Sequence, residues 1–260
     1  GRGFARDAGD WRDWVLPNGV PCKIPAFIEP VRVGNDWHVY HADGTLIAIQ
    51  KEGSLYFEQT CFPLHESADE TFADLDTPLE KVQWSSLGSP PAPLGLGDED
   101  LPALAEGARR LRAETDRAII GLFGGNLLEI GQFLFRNDRF FLLPAGEPQR
   151  AHRFLDRLVE MHLANLERYL SAVGPYIDII LFGDDLGMQT GPQISPRMYR
   201  EFFQPREAIL WGRAKELADV RVMLHSCGGL YPLIPGLIEA GLDILQPVQT
   251  TAANMEADRL

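Results

Sequence analysis

The sequence predicts an α/β protein with a parallel sheet, preceded by a β-rich N-terminal layer. Two observations carry the first part. From about residue 98 onward, short apolar runs alternate with amphipathic helical stretches. Consecutive βα units of this kind build a parallel sheet, either closed as a barrel or open and doubly wound. The chemically distinctive residues also gather just after the apolar runs, where a barrel has its mouth. The β-rich layer is read from residues 1–65, which alternate apolar and polar positions between turn signals. The chain thus divides into a β-rich layer with its loop, residues 1–97, and a βα portion, residues 98–260, within one domain.

Taken in order, residues 36–41 and 45–49 flank Ala-Asp-Gly and predict a hairpin, with Trp11, Trp14 and Trp37 as anchors of the layer. The Pro/Gly-rich stretch Ser-Pro-Pro-Ala-Pro-Leu-Gly-Leu-Gly at 89–97 reads as a loop. An amphipathic helix follows at Leu101–Glu114, then a buried strand at 117–123 ending in Gly124-Gly125, and a helix at 126–135. Pro148 opens a long helix to Val173, with Leu155, Leu158, His162, Leu166 and Leu170 near helical spacing and Gly174-Pro175 to stop it. The next strand, 177–182, leads into Gly183-Asp184-Asp185. Ser195-Pro196 caps a helix at 197–203, Pro205 breaks or kinks it, and 206–217 continues it. Strand 220–224, helix 231–239 with Gly241 past its end, and strand 243–245 complete the pattern, and 254–260 reads as a helix start.

Composition narrows the function classes. A net charge of −13 sets the surface against nucleic acid and anionic membrane. Cys22, Cys61 and Cys227 are too few and odd in number for a disulfide framework, which points to a reducing cytoplasm. No apolar segment approaches membrane-spanning length. The lack of GxGxxG after a strand disfavours a dinucleotide site.

The most informative stretch is His225-Ser226-Cys227-Gly228-Gly229, at the end of the apolar run 220–224. An imidazole and a thiol two residues apart can converge on one metal ion where glycines let the backbone turn. Thiolate with imidazole is a donor pair that suits zinc. It is half a site, and the bland alternative is a His and a Cys at a strand end.

The run 182–203, Phe-Gly-Asp-Asp-Leu-Gly-Met-Gln-Thr-Gly-Pro-Gln-Ile-Ser-Pro-Arg-Met-Tyr-Arg-Glu-Phe-Phe, resembles the uroporphyrinogen decarboxylase superfamily. So do His225-Ser-Cys-Gly-Gly and the run 233–249, Leu-Ile-Pro-Gly-Leu-Ile-Glu-Ala-Gly-Leu-Asp-Ile-Leu-Gln-Pro-Val-Gln. The resemblance covers about residues 118–260 and is nearest the branch of cobalamin-dependent methyltransferases and O-demethylases. It implies a (β/α)8 TIM-type barrel that here lacks its last strands at the C-terminus. It further implies zinc held by His225, Cys227 and a third, more C-terminal Cys beyond Leu260. The partners it implies are a small methyl donor or thiol acceptor and a corrinoid carried on another protein.

Within that picture Asp184 or Asp185 would orient the imidazole, add an oxygen ligand or act as acid/base, with Asp184, nearer the strand end, favoured. Plain capping of backbone amides is the alternative. Gln246, Gln249 and Glu129 are candidate substrate contacts. Their duller readings are satisfaction of buried backbone for the glutamines and a solvated helix carboxylate for Glu129. His162 is expected to be structural. Two rival functions stand beside methyl transfer. One is metal-independent decarboxylation of tetrapyrrole acetate groups, disfavoured because no segment like Arg-Gln-Ala-Gly-Arg occurs near the N-terminus. The other is a non-catalytic carrier-binding barrel.

Overall fold

The structure, a computed structural model, describes residues 11–25, 28–82 and 101–260. The loop expected at 89–97 lies outside the described residues. Strands β1 (Trp11–Val15) and β2 (Pro21–Pro25) form an antiparallel hairpin. Strands β3 (Val31–Val33), β4 (Asp36–Tyr40), β5 (Leu46–Gln50) and β6 (Glu58–Gln59) form a four-stranded antiparallel sheet in chain order. The β4–β5 turn is the one read from Ala-Asp-Gly: Asp43 Oδ1 accepts from Thr45 N at 2.9 Å, and Gly44 takes the positive φ of 85° that the turn needs. Trp14 and Trp37 meet edge to face at 4.8 Å between centroids, while Trp11 is 37% exposed. This region keeps a small core of its own, Val39, Ile47 and Ala48.

After α1 (Asp76–Val82) and α2 (Leu101–Glu114) comes the parallel sheet: β7 (Ile120–Gly124), β8 (Ile179–Gly183), β11 (Arg221–His225) and β12 (Ile244–Gln246), neighbours in chain order. Between β7 and β8 run α3 (Leu128–Phe135), α4 (Asn137–Gly146) and α5 (Pro148–Val173). Two two-residue strands, β9 (Gly187–Met188) and β10 (Gly191–Pro192), pair as a small hairpin after β8. Then α6 (Pro196–Met198), a π-turn at Tyr199–Phe203 and α7 (Gln204–Leu217) lead to β11, and α8 (Ile234–Ala240) to β12. Among the described residues the parallel sheet has four strands. They do not themselves close the eight-stranded barrel expected from the resemblance.

Strand periodicity sorts the sheet into two faces. Phe123, Ile180, Phe182, Val222 and Leu224 are buried with Leu155, Leu166, Leu170, Leu210, Trp211 and Leu237 of the helices in one core. On the other face the register aligns Leu122, Leu181 and Met223 in one row. Ile120 and Leu122 there stay 45% and 58% exposed.

Several expectations are corrected. Of the break or kink read at Pro205, the break is absent: Pro205 falls in the first turn of α7, and the distortion is the wider π-turn before it, which absorbs the missing N–H and the ring's bulk. Helix α4 had no sequence counterpart, because Arg136 at φ 69° precedes it and Pro144 lies inside it. Residues 254–260 form turns rather than a helix. Helix α8 starts three residues later than read, after a turn over residues 231–233. No helix among the described residues is long and apolar enough to cross a membrane.

Candidate metal centre

Asp184, Asp185, His225, Cys227 and Gln246 lie at the C-terminal ends of the parallel strands, but not all face the same way. His225 is the last residue of β11, in register with Gly183 of β8 and Gln246 of β12. Asp185 follows β8 and Cys227 follows β11. One ligand atom from each of Asp185, His225 and Cys227 can be chosen so that all lie within 4.8 Å of one another. His225 Nε2 is 3.6 Å from Cys227 Sγ and 3.9 Å from Asp185 Oδ1. Donors bound tetrahedrally to zinc at about 2.0–2.3 Å sit roughly 3.3–3.6 Å apart, so small side-chain adjustments would close the set.

The imidazole is already oriented for such a role. Its Nδ1 is 2.7 Å from Gln246 Oε1. An amide oxygen only accepts, so Nδ1 is the donor of this pair, and Nε2 faces Cys227 and Asp185. Gln246 thus holds the imidazole of His225 in this arrangement. Gln249 also supports backbone: its Oε1 accepts from Gly228 N at 2.9 Å and its Nε2 donates to Gln189 Oε1 at 2.8 Å. On the zinc reading proposed below, replacing Gln246 with Ala should leave the fold intact and weaken zinc affinity about 10- to 100-fold, the usual cost of losing such a partner. Competition titration with a chromogenic chelator measures it; unchanged affinity would sink the orienting role.

Two glycines make the turn possible. Gly228 has φ 90°, and a Cβ there would come within 2.5 Å of Gly187 backbone. At Gly187 a Cβ would meet Cys227 O at 2.4 Å. The β9–β10 hairpin thus packs directly on the Cys227 turn, and Gly229 N donates to Met188 O at 2.9 Å.

The two aspartates divide sharply. Asp184 is 2% exposed and accepts three backbone amides at the start of α3: Leu127 N at 2.9 Å, Leu128 N at 2.7 Å and Glu129 N at 2.9 Å. Burial and the Glu129 charge push its carboxyl well up, and the three amides pull it back. Both Asp184 oxygens are thus occupied by the amides at the start of α3. Asp185 is the carboxylate beside the ligand pair, and its Oδ1 also accepts from Cys227 N at 2.8 Å.

Glu129, read as a candidate substrate contact or else a solvated helix carboxylate, is half-buried and turned to the site. Its Oε2 accepts from Asn126 Nδ2 and from Asp185 N. Burial, with Asp185's charge second, raises its carboxyl, and burial followed by the same charge raises the Cys227 thiol. Carboxylates and a thiol gathered in this way form a donor set whose charge a divalent cation balances. Asn126 was missed in the sequence. Its place just after the glycine pair that ends β7, matching Asp185 after β8, was the available signal. Gln193 was missed as well: its Nε2 donates to Asp185 O at 2.5 Å and its Oε1 accepts from Gln132 at 2.9 Å. His162 is buried with Nε2 3.1 Å from Asn126 O, and burial lowers its pKa to about 4. It is a neutral core residue.

Comparison with known proteins follows this geometry. No curated protein sequence matches the chain. Among solved structures, a methyltransferase from Methanosarcina mazei aligns with a TM-score of 0.45 at 18% identity, covering 56% of this chain and 41% of that one. The chain thus spans less than half the length of that protein. The family model for uroporphyrinogen decarboxylase (URO-D) matches residues 70–259, which include the whole parallel sheet and the strand-end site. The chain belongs to the uroporphyrinogen decarboxylase family.

Proposed function

We propose that this chain is a zinc-dependent methyltransferase of the family, moving a methyl group between a small methylated substrate or a thiol and a corrinoid on a partner protein. The observation that carries the reading is the convergence of Asp185, His225 and Cys227 at the strand ends. Cys227 serves as thiolate ligand, His225 Nε2 as neutral imidazole ligand and Asp185 as the third donor, in place of the distant Cys expected from the resemblance. Bound zinc would supply a Lewis acid that acidifies a thiol or polarises a methoxy oxygen.

The chain's own residues do the rest. Gln246 fixes the imidazole tautomer, Gln249 holds the Gly228 turn, and Asp184 anchors α3 so that Glu129 faces the substrate side. Met188 and Val248, 58% and 47% exposed beside the site, support docking of the corrinoid carrier on this end of the sheet. The four strands in chain order, with helices on one face, support a sector of a (β/α)8 barrel. Three free thiols support a reducing, cytoplasmic setting.

The test is metal content of protein purified under reducing conditions without chelator, beside His225→Ala and Cys227→Ser. About one zinc per chain is expected in the parent and almost none in either variant. A parent without zinc, or variants that keep it, would overturn the reading.

A further inference from the structure

Past the end of the β8–β11 ladder, side chains take over from backbone. The ladder's last bond runs from Asp184 N to His225 O at 3.1 Å. Two amides lie beyond it, Leu186 N and Cys227 N, and each is taken by a side chain of the opposite turn. Leu186 N donates to Ser226 Oγ at 2.9 Å, and Cys227 N donates to Asp185 Oδ1 at 2.8 Å. Among the described residues, these two bonds join residues 185–186 to residues 226–227.

Ser226 is placed for this bond. It stands between His225 and Cys227 in the chain, yet it is fully buried while both of them are partly exposed, as alternation at a strand end dictates. Its own amide donates to Gln246 O at 2.9 Å, so β12 fixes the residue while its hydroxyl holds the turn after β8. Leu186 is fully buried as well, and without the hydroxyl its amide loses its acceptor. The backbone bonds of Asp185 reach elsewhere. Its N donates to Glu129 Oε2 at 3.2 Å, and its O accepts from Gln193 Nε2 at 2.5 Å. Those tie it to α3 and to the β9–β10 hairpin, and neither reaches the turn after β11.

Resting on the reading that Asp185, His225 and Cys227 hold a metal, we infer that Ser226 is a positioning residue for that site. Its hydroxyl keeps the turn after β8 against the turn after β11, and so keeps the Asp185 carboxylate beside His225 and Cys227. Ser226 is not itself a ligand; it acts through Asp185.

The experiment is a double-mutant cycle of zinc affinity with Ser226→Ala and Asp185→Ala, read by chelator competition, beside amide hydrogen exchange on the metal-free proteins. Ser226→Ala should weaken zinc about 10- to 100-fold in the parent, the usual cost of losing an orienting partner. Once Asp185 is already alanine, the same change should cost less than about threefold. An equal loss in both backgrounds means that Ser226 only shapes the His225–Cys227 turn, and it overturns the inference, as does no loss in the parent. In the metal-free proteins Ser226→Ala should speed exchange at the Cys227 amide by about tenfold or more and leave the Val222 amide within β11 unchanged. Unchanged exchange at Cys227 overturns the inference, and so does equal speeding at both amides, which marks a general loosening. A parent that holds no zinc removes the metal reading, and the exchange measurement then decides the role of Ser226 alone, so the two fail separately.

Discussion

Arg150→Met is expected to lower the unfolding free energy by about 2–3 kcal/mol, the scale for leaving buried acceptors without their donor. Arg150 is 5% exposed. Its Nε donates to Asp69 O at 3.2 Å, its Nη2 to Ser67 O, and its Nη1 to Glu147 Oε2 at 3.1 Å. The guanidinium also lies 5.6 Å over the Phe72 ring and 6.0 Å over Phe135. It therefore pins the segment that joins the N-terminal strands to the helical layer to the start of α5. Phe72 is held there at a φ of 50°, packed against Phe135 and Phe154. Methionine fills the volume but takes the guanidinium donors from the Asp69 and Ser67 carbonyls, while Glu147 keeps Arg139. Arg150→Lys should fall between parent and Met, since an ammonium cannot reproduce the fork. Urea unfolding followed by circular dichroism measures all three; a loss below about 1 kcal/mol for Met would remove Arg150 from this role.

Glu207→Gln should change how stability depends on pH. Glu207 is 4% exposed in α7 and accepts the Tyr199 hydroxyl. Burial pushes its carboxyl from 4.5 up to about 7. Between those values the folded chain keeps a proton that the unfolded chain has released. Unfolding free energy must therefore fall as pH rises through that window, by about 3 kcal/mol in all, and level off above it. The contribution is fully present below the unfolded value. Gln has no proton to lose, so the variant lacks this fall and gains on the parent between about pH 5 and pH 8. Urea unfolding at both pH values gives the difference; a gap between parent and variant that does not move with pH would refute the assignment.

The sequence was most legible where local chemistry and fold agree. Pro148 at the start and Gly174-Pro175 at the end delimit α5 by backbone rules alone, and the observed helix has those bounds. His225 and Cys227 were readable because two residues after a strand, with glycines following, leave few ways for their side chains to turn. The choice between Asp184 and Asp185 was not readable. Past the end of β8 the alternation of strand side chains no longer applies, and the matter is decided by the amides of α3, separated by more than fifty residues of chain. For Glu129 the sequence left a substrate contact and a solvated carboxylate both open, for a related reason. A glutamate in the first turn of a helix is ordinarily solvated, and only the placement of α3 over the strand ends turns it inward. The π-turn at Tyr199–Phe203 reflects the demand of Pro205 in the first turn of α7, which periodicity does not express.

The pairing of β11 with β12 has a consequence for the imidazole at its far end. Asp243 locks that pairing at the opposite end of the strands: its N donates to Val222 O at 3.0 Å, its Oδ2 accepts from Val222 N at 2.8 Å, and Lys215 holds the same oxygen at 2.8 Å. A slip of one residue would bring Leu245 opposite His225 and send Gln246 to the helix-covered face. The proton on Nδ1 would then have no amide oxygen to hold it. Asp243 and Lys215 touch nothing in the site, yet they act as its alignment key, setting which nitrogen of His225 is available for chemistry.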